Sequence, residues 1–340
     1  MNLWWLFFLV AGVSWVLTGL LRRYALARSL MDVPNNRSSH SVPTPRGGGL
    51  SIVLTFLAGL LLLWALSLLD AAVFYALSGA GVMVSVIGFI DDHGHIPARW
   101  RLLGHFSAAS WLVFWLGGMP LLTLYGVSVD PGWPGDVLAV IALVWLLNLY
   151  NFMDGIDGIA GIEALSSTFV AALIFLFMYG NEKMFVLNLL MVAAITGFLV
   201  WNFPPAKIFM GDAGSGFVGL TLGALALYSA HLAPVMWWVW LILLGVFIVD
   251  ATFTLLRRLL RGDKVYQAHC SHAYQSAARR FGSHRVVTLS VLAINVFWLA
   301  PWAIAVALGV VGGVAGSLAA YGPLLFLAWY FRAGEIETVS

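Results

Sequence analysis

The segment Leu50–Ile90, LSIVLTFLAGLLLLWALSLLDAAVFYALSGAGVMVSVIGFI, consists of two apolar runs that meet at Asp70. Neither run, Leu50–Leu69 or Ala71–Ile90, contains a charged residue. A helix of about 20 apolar residues crosses the hydrocarbon core of a bilayer, so each run predicts a transmembrane helix. The whole 340-residue chain follows this pattern, because 61% of it is hydrophobic and only 9% is charged. Soluble proteins carry about 25% charged residues, and the sequence therefore predicts an all-α polytopic membrane protein.

Nine more apolar stretches raise the prediction to about 11 transmembrane helices. These stretches are Leu3–Leu21, Leu102–Gly118, Val137–Tyr150, Ala164–Tyr179, Met184–Phe203, Phe217–Leu232, Val235–Leu256, Val286–Leu308 and Val314–Tyr330. No segment between them is long enough for a soluble domain, so we expect residues 1–340 to form one integral-membrane domain. The loop Met119–Asp136 contains glycines, prolines and alternating apolar residues, which predict a small hairpin.

The basic residues are divided unevenly between the two sides of the membrane. If the helices alternate in direction, 16 of the 17 Lys and Arg residues fall in loops on one side, and only Lys183 falls on the other. Because cytoplasmic loops carry the excess of Lys and Arg, we expect the N-terminus outside and the C-terminus in the cytoplasm. The single cysteine, Cys270, excludes an internal disulfide and a cysteine-rich metal site.

Polar residues are costly inside a bilayer, so their clusters indicate candidate functional sites. The adjacent carboxylates Asp91 and Asp92 stand at the cytoplasmic end of the third predicted helix, where they repel each other unless a cation or a proton lies between them. A solvated helix end is the alternative interpretation. Arg99 and Arg101 follow, and their guanidinium groups suit either lipid headgroups or substrate phosphates.

A second cluster has amide and carboxyl side chains at intervals of three residues, at Asn148, Asn151, Asp154 and Asp157. This spacing places them near one face of a helix that ends at about Gly155. Oxygen ligands of this kind suit Mg²⁺. The alternative, a helix end with Asp-Gly turn residues, explains the glycines but leaves two asparagines in an apolar helix unexplained.

The third cluster, Lys207–Gly216, is a glycine-rich turn that runs into the eighth predicted helix. Such a turn offers backbone N–H groups to a phosphate, although Asp212 would also serve as an ordinary N-cap. Phe209 is apolar within this polar turn, which is typical of a membrane-interface anchor or of a platform on which a nucleobase stacks.

Two further loops carry polar residues on the same side. The loop Gly262–Arg285 is basic, as a solvated cytoplasmic loop is, but its His269 and His272 also suit hydrogen bonds to a sugar. The loop Asp32–Gly49, which contains His40, is rich in Pro and Gly and predicts a rigid connection. The expected cytoplasmic active-site loops are approximately residues 22–49, 91–101, 151–161, 204–216 and 257–285.

From about Asp32 to Gln275, and in the same order along the chain, these motifs resemble those of the polyprenyl-phosphate N-acetylhexosamine-1-phosphate transferases. This family, glycosyltransferase family 4, includes the phospho-MurNAc-pentapeptide translocase and the transferase that initiates the enterobacterial common antigen. The resemblance implies transfer of an N-acetylated sugar-1-phosphate from a UDP-sugar to undecaprenyl phosphate, with release of UMP. It also implies Mg²⁺, or alternatively Mn²⁺, as cofactor and a multi-pass protein of the bacterial inner membrane whose active site faces the cytoplasm.

The partners implied by the resemblance are a UDP-N-acetyl sugar, undecaprenyl phosphate and the lipid bilayer. Many family members are dimers, which implies a second copy of the chain in a homodimer. No nucleic-acid partner is expected.

By position, the resemblance also implies roles for individual residues. Asp212 and Asn151 would coordinate the metal ion. Asp91 would act at the lipid phosphate, either as a nucleophile or as the base that deprotonates it. Asp92 would support the metal and phosphate region, and Asp154 would order the site.

The implied substrate contacts lie in the other loops. Arg101 falls where family members carry a basic residue that reaches the diphosphate, and Phe209 would stack on uracil. Asp157 would hydrogen-bond the base, with His40 nearby. The remaining substrate-binding residues are expected to be Lys207, His269 and His272.

The segment His269-Cys-Ser-His272-Ala-Tyr-Gln lacks the triple histidine of the peptidoglycan enzyme, so a MurNAc-pentapeptide donor is not expected. It is similar to the branch that begins O-antigen synthesis in lipopolysaccharide. The resemblance therefore leaves UDP-FucNAc, UDP-QuiNAc and UDP-GlcNAc as candidate donors.

A membrane transporter with a polar site on the cytoplasmic side is the main alternative, but transporters place ionisable groups near the bilayer midplane. Here the polar clusters lie at helix ends, and only Asp250, His105 and Glu163 stand within or beside the predicted helices. A transferase that joins a CDP-activated donor to an alcohol would require a single long Asp-Gly…Gly…Asp…Asp motif, which the sequence lacks.

Overall fold

The computed structural model describes residues 4–34, 40, 42–94, 96–124, 127–263 and 269–335. Helices dominate these residues, and two short antiparallel strand pairs complete the fold. In chain order the elements are α1 (Trp4–Ala27), β1 (Met31–Asp32), β2 (Thr44–Pro45), α2 (Leu50–Ala65), α3 (Ala71–His93), α4 (Ala98–Leu116), β3 (Leu122–Leu124), β4 (Val127–Val129), α5 (Gly132–Met153), α6 (Ile159–Phe177), α7 (Glu182–Asn202), α8 (Asp212–Leu232), α9 (Met236–Leu243), α10 (Gly245–Leu260), α11 (Ala273–Phe281), α12 (His284–Ile294), α13 (Ala300–Ala307) and α14 (Gly313–Tyr330).

The helices confirm the all-α membrane class. Eight spans in the described residues are long and apolar enough to cross a bilayer, with α12 and α13 forming one of them, and the bent pair α9–α10 adds a ninth. The helices α2 and α4 occupy predicted spans but are not among these nine. The count of about 11 spans and the orientation of the chain in the membrane stay predictions.

The predicted helix Val235–Leu256 is bent, because α9 and α10 meet at Leu244 at an angle of 70°. The break interrupts the hydrogen-bond ladder of the helix. Tyr321 of α14 donates its hydroxyl to the carbonyl oxygen of Leu241 at 2.6 Å. Since an unsatisfied carbonyl in hydrocarbon costs several kcal/mol, this hydrogen bond stabilises the bend.

A π-helical turn, Asn295–Leu299, joins α12 to α13. Asn295 donates its side-chain amide to Oε2 of Glu163 at 2.6 Å and to the hydroxyl of Ser166 at 2.8 Å. Glu163 and Asn295 are both buried. The turn thus supplies a polar partner for a carboxyl group inside the helix bundle.

The hairpin predicted within Met119–Asp136 is confirmed. The strands β3 and β4 pair antiparallel, with Leu122 opposite Val129. Oδ1 of Asp136 accepts the backbone N–H of Met119 at 2.7 Å, which closes the base of the loop.

The helix α8 forms the centre of the bundle, with 94% of its apolar window buried. Glycines allow this close packing: a Cβ atom at Gly219 would lie 2.6 Å from Cβ of Tyr150, and one at Gly223 would lie 2.5 Å from Cδ2 of Leu143. Small residues at such positions let helices approach closely in membranes. As a result, the N-terminus of α8 meets the C-terminal ends of α3 and α5.

Candidate active site

The junction of α3 and α8 places Asp92 against the start of α8. Its two carboxylate oxygens accept the backbone N–H groups of Asp212 and Ala213, both at 3.2 Å. The helices come this close because α3 has Gly88, where a Cβ atom would lie 2.5 Å from the backbone nitrogen of Ala213. Asp92 therefore caps α8 from a different helix, and Asp212 is the first helical residue, with Gly211 at the N-cap position.

This capping changes the interpretation of the glycine-rich turn. The sequence suggested that the turn offers N–H groups to a phosphate. In the structure, Asp92 occupies the amides of Asp212 and Ala213, and the carbonyl of Gly211 accepts those of Gly214 and Ser215 at 3.1 and 3.0 Å. These four backbone N–H groups at the start of α8 are therefore already hydrogen-bonded within the protein.

The loop before α2 and the loop before α8 are held together by backbone hydrogen bonds. Gly48 and Gly49 donate to the carbonyls of Phe209 and Met210, each at 2.9 Å. A Cβ atom at Gly49 would lie 2.5 Å from Cα of Gly214, so only glycine permits this contact. The contact fixes Phe209 and the start of α8 relative to the loop before α2.

Arg101 joins two carboxylates at the mouth of the bundle. Its Nη1 atom forms an ion pair with Oδ2 of Asp91 and lies 3.7 Å from Oδ2 of Asp212. Oδ1 of Asp91 also accepts the backbone N–H of Ile96 at 2.9 Å. Arg46, which the sequence analysis did not select, donates to the backbone carbonyl of Asp92. Arg101 thus faces the predicted site, where it partly offsets the charge of the carboxylates.

The end of α5 adds amide and carboxyl groups to the same place. The Asn151 side chain hydrogen-bonds Asp212. Burial, followed by the negative charges of Asp212, Asp92 and Asp157, raises the pKa of Asp154 well above its usual range. Asn148 lies apart from this group, since its side chain donates to the carbonyl of Val144 in its own helix at 2.7 Å.

This crowding of acidic groups fits a cation. Within the described ranges, no three His, Cys, Asp or Glu side chains converge closely enough to form a metal shell alone. Mg²⁺ does not need such a shell, because it commonly uses one or two carboxylates together with water and substrate phosphates. A carboxylate at Asp212 hydrogen-bonded to the amide of Asn151, with Asp91 nearby, is a donor set that suits this ion.

Asp157 lies beyond the end of α5 and leaves the stripe that the spacing predicted. It borders a cavity of about 600 Å³ between the loop before α8 and the start of α12. Six of the residues that line this cavity are His40, Asp157, Phe209, Arg279, His284 and Arg285.

Several contacts hold Asp157 in its ionised form. Burial raises its pKa, but hydrogen bonds from His284 and from the amide of Ala206, with the positive charges of His284 and His40, outweigh burial and lower the pKa of Asp157. The His40 ring packs edge-on against Phe209, with centroids 4.9 Å apart. The predicted base-binding residues Phe209, Asp157 and His40 are therefore neighbours.

The two predicted sugar-binding histidines occupy a more enclosed place. The His272 ring is buried at the N-cap of α11, with Nδ1 3.3 Å from Oδ1 of Asp250. Asp250 also accepts the amides of Ala273 and Tyr274 at 2.9 and 3.0 Å. The His269 ring stacks on His272, with centroids 4.8 Å apart. Asp250 thus anchors this loop, a role that its position in an apolar helix did not reveal.

The anchored loop contacts the end of α5. Tyr274 donates its hydroxyl to the carbonyl of Phe152 at 3.0 Å. The hydroxyl would lie 2.0 Å from a Cβ atom at Gly155, so the turn after α5 requires glycine there. The structure therefore brings the His269–Gln275 segment beside the Asn151–Asp157 turn.

The structure does not bring Lys207 into this group. Its side chain is exposed, and its Nζ lies 5.6 Å from the centroid of the Trp201 ring. Arg22 donates to the carbonyl of Lys207 at 3.2 Å.

Comparisons with known proteins show that the chain is similar to the glycosyl transferases of family 4. The family model of glycosyl transferase family 4 matches residues 74–230. A probable undecaprenyl-phosphate N-acetylglucosaminyl 1-phosphate transferase of Bacillus subtilis is 30% identical over 290 residues, which cover 82% of this chain and 78% of that protein. A decaprenyl-phosphate N-acetylglucosaminephosphotransferase of Mycolicibacterium smegmatis is 29% identical, with 83% and 76% covered. A phospho-N-acetylmuramoyl-pentapeptide-transferase of Halalkalibacterium halodurans is 27% identical, with 78% and 85% covered.

Proposed function

The chain belongs to glycosyl transferase family 4, the polyprenyl-phosphate sugar-phosphate transferases, and we propose that it transfers an N-acetylated sugar-1-phosphate from a UDP-sugar to undecaprenyl phosphate. The observation that carries the proposal is that Arg101 lies between the carboxylates of Asp91 and Asp212, close to the end of α5 that carries Asn151 and Asp154. Acidic groups for a metal and basic groups for phosphates are what a reaction between two anionic substrates requires.

In the proposed reaction, an oxygen of the lipid phosphate attacks the donor phosphorus that bears the sugar. The bond from this phosphorus to the oxygen it shares with UMP breaks, and UMP leaves. Bound Mg²⁺ would offset charge on the donor diphosphate, and Asp212 with Asn151 would hold it. Arg101 would contact the same diphosphate, since it already lies between Asp91 and Asp212.

Asp91 is proposed to act as the base that deprotonates the lipid phosphate. In the alternative two-step reaction its carboxylate attacks the donor phosphorus and displaces UMP, and an oxygen of the lipid phosphate then attacks that phosphorus and releases Asp91. Its carboxylate is positioned by Arg101 and by the amide of Ile96. Asp92 has a different contribution, because both of its oxygens are used at the start of α8. We therefore propose that Asp92 positions Asp212 and that Asp154 orders the site.

The nucleotide half of the donor is assigned to the 600 Å³ cavity. There Phe209 offers a ring for stacking on uracil, and Asp157 offers a hydrogen-bond acceptor for the base. His40 supports the Phe209 ring from its edge. The loop that carries His269 and His272 is proposed to contact the sugar.

A short segment of the polyprenyl chain is proposed to enter an apolar cavity of about 120 Å³ beside the α9–α10 bend, lined by side chains such as Leu143, Trp240 and Leu244. Inside a bilayer, van der Waals packing would favour this contact.

UDP-GlcNAc is the first donor to test, since two of the relatives are named for N-acetylglucosamine transfer. UDP-FucNAc and UDP-QuiNAc are the alternatives, and a role in starting O-antigen or a related polysaccharide is part of the proposal. So are the inner-membrane location, the cytoplasmic site and the homodimer. The 16 basic residues on one predicted side support the cytoplasmic orientation.

The test is UMP release by purified protein with undecaprenyl phosphate, each UDP-N-acetyl sugar in turn, and Mg²⁺, Mn²⁺ or a chelator. We expect UMP from one donor only when lipid and metal are both present. If the protein is monodisperse and binds a donor, yet yields no UMP under any condition, the proposed reaction is wrong. A transporter would bind or move its ligand without forming UMP.

A further inference from the structure

Asp157 joins three separate parts of the chain. Its Oδ2 atom accepts the backbone N–H of Ala206 at 2.9 Å, and its own carbonyl accepts the hydroxyl of Thr288 at 2.8 Å. His284, the first residue of α12, places Nδ1 3.1 Å from Oδ1. Each carboxylate oxygen thus has one partner within the protein and a second lone pair available to a ligand.

The Nδ1 atom of His284 faces both the backbone and the side chain of Asp157. In the neutral ring, Nδ1 accepts the backbone N–H of Asp157 at 3.4 Å. In the protonated ring, Nδ1 carries a proton and pairs with Oδ1 of the carboxylate at 3.1 Å. The ring therefore holds the carboxylate in one orientation at the wall of the cavity.

We propose that His284 is a positioning residue for recognition of the donor base, an inference that rests on the proposed function. His284 and the amide of Ala206 hold Asp157 so that its remaining lone pairs face the space beside Phe209. An acceptor at this place pairs with the N3–H donor of uracil. Cytosine has an unprotonated N3 there, and its lone pair repels a carboxylate. His284 thus contributes to selection of uridine donors over cytidine donors.

The contact also links the base to the rest of the site. The Gly158 amide, next to Asp157, donates to Oδ1 of Asn202 at 3.1 Å, and Asn202 donates to the carbonyl of Ile208 at 3.0 Å. Ile208 directly precedes Phe209 in the chain. A shift of Asp157 would therefore move the acceptor relative to the stacking ring.

The test compares two substitutions that differ in the atom facing Asp157. In His284→Asn the amide nitrogen can occupy the place of Nδ1 and donate to Asp157, whereas His284→Leu has no donor. We expect His284→Leu to raise the KM for the UDP-sugar by about tenfold or more with kcat little changed, because it removes a hydrogen bond to a charged group. His284→Asn should stay within about threefold of the wild type.

A second measurement is inhibition by UDP and by CDP. Wild type and His284→Asn should favour UDP, and the ratio should approach one in His284→Leu. The control is His231→Leu, which removes a ring that contacts the carbonyl of Gly118 at 3.0 Å, at the other end of α8; it should leave KM unchanged. If His284→Leu is not monodisperse, His284→Gln replaces it in the comparison. The Gln amide nitrogen corresponds to Nε2 of the ring, so this variant also lacks a donor at the position of Nδ1.

Equal KM values for wild type and His284→Leu, or equal losses in His284→Asn and His284→Leu, would overturn the role of His284. Both results require that the wild type releases UMP. A wild type without this activity would overturn the proposed function instead, so the two failures are distinguishable.

Discussion

Asp92 accepts two backbone N–H groups of α8, and an asparagine at this position can accept only one of them. We expect Asp92→Asn to lose turnover and also to lower the melting temperature, since loss of a helix cap costs about 1–2 kcal/mol. Asp91→Asn and Asp212→Asn should lose turnover with a smaller change in melting temperature. UMP release and thermal denaturation in detergent measure both effects. Wild-type-like melting of Asp92→Asn would contradict the capping role.

Phe209 lines the cavity that we propose for the nucleotide. Phe209→Ala should raise the donor KM by about tenfold, because stacking on a base is worth about 1–3 kcal/mol. Phe209→Trp keeps an aromatic ring and should stay close to the wild type. Steady-state kinetics at saturating lipid test this, and an unchanged KM in Phe209→Ala would exclude stacking.

Because of His269, the free energy of unfolding should depend on pH. Burial, then the charges of His272 and Arg258, lower the pKa of His269 to about 3, from about 6.5 in an unfolded chain. Between these values the unfolded chain binds a proton that the folded chain does not, so His269 destabilises the fold progressively as the pH falls below about 6.5. We expect the melting temperature to fall less from about pH 7.5 to about pH 5 in His269→Asn than in the wild type. Equal decreases would show that His269 is protonated in the fold.

At the scale of elements, the crossing of α3 and α8 depends on Gly88. A Cβ atom there would meet the backbone of α8 rather than a flexible side chain, so Gly88→Ala should separate Asp92 from Asp212 and remove most of the activity. Gly322→Ala in α14 is the matched control, because a Cβ atom at Gly322 meets nothing within 4 Å. UMP release by the two variants makes the comparison. Full activity in Gly88→Ala would mean that the crossing adjusts without loss.

At the scale of the whole molecule, the orientation in the membrane can be tested with cysteines in a Cys270→Ala background. Lys183 and Arg332 have exposed side chains, 60% and 79% accessible. An impermeant maleimide should label Lys183→Cys in intact cells, but Arg332→Cys only after permeabilisation, because the basic loops are expected inside. Labelling of Arg332→Cys in intact cells would contradict a cytoplasmic C-terminus.

The sequence was sufficient for the membrane class and the hairpin, because hydrophobic length and turn residues are local signals. It also indicated Asp91, Asp212 and Asn151 as candidate site residues, and the structure brings these three side chains together. It could not show that Asp92 caps a helix that begins 120 residues later. That contact depends on where Gly88 permits two helices to cross, and spacing along one helix does not contain this information.

The bend at Leu244 could not be predicted from the local sequence either, because it depends on a contact with a distant helix. No proline marks it, and Tyr321, which donates to the carbonyl of Leu241, is 80 residues further along the chain. The roles of Asp250 and His284 likewise depend on partners in distant segments. The local sequence around each gives no sign of those partners.

The hydrogen bond from Tyr321 to Leu241 also has a consequence for the order of events during synthesis. The ribosome synthesises α9 and α10 well before α14. During that time the Leu241 carbonyl lies in the membrane without the Tyr321 hydroxyl that hydrogen-bonds it in the complete fold. The last helix to insert therefore completes a feature of helices made earlier. Until it arrives, the bend lacks this hydrogen bond, and a chain truncated before α14 should unfold at a lower temperature than the full chain.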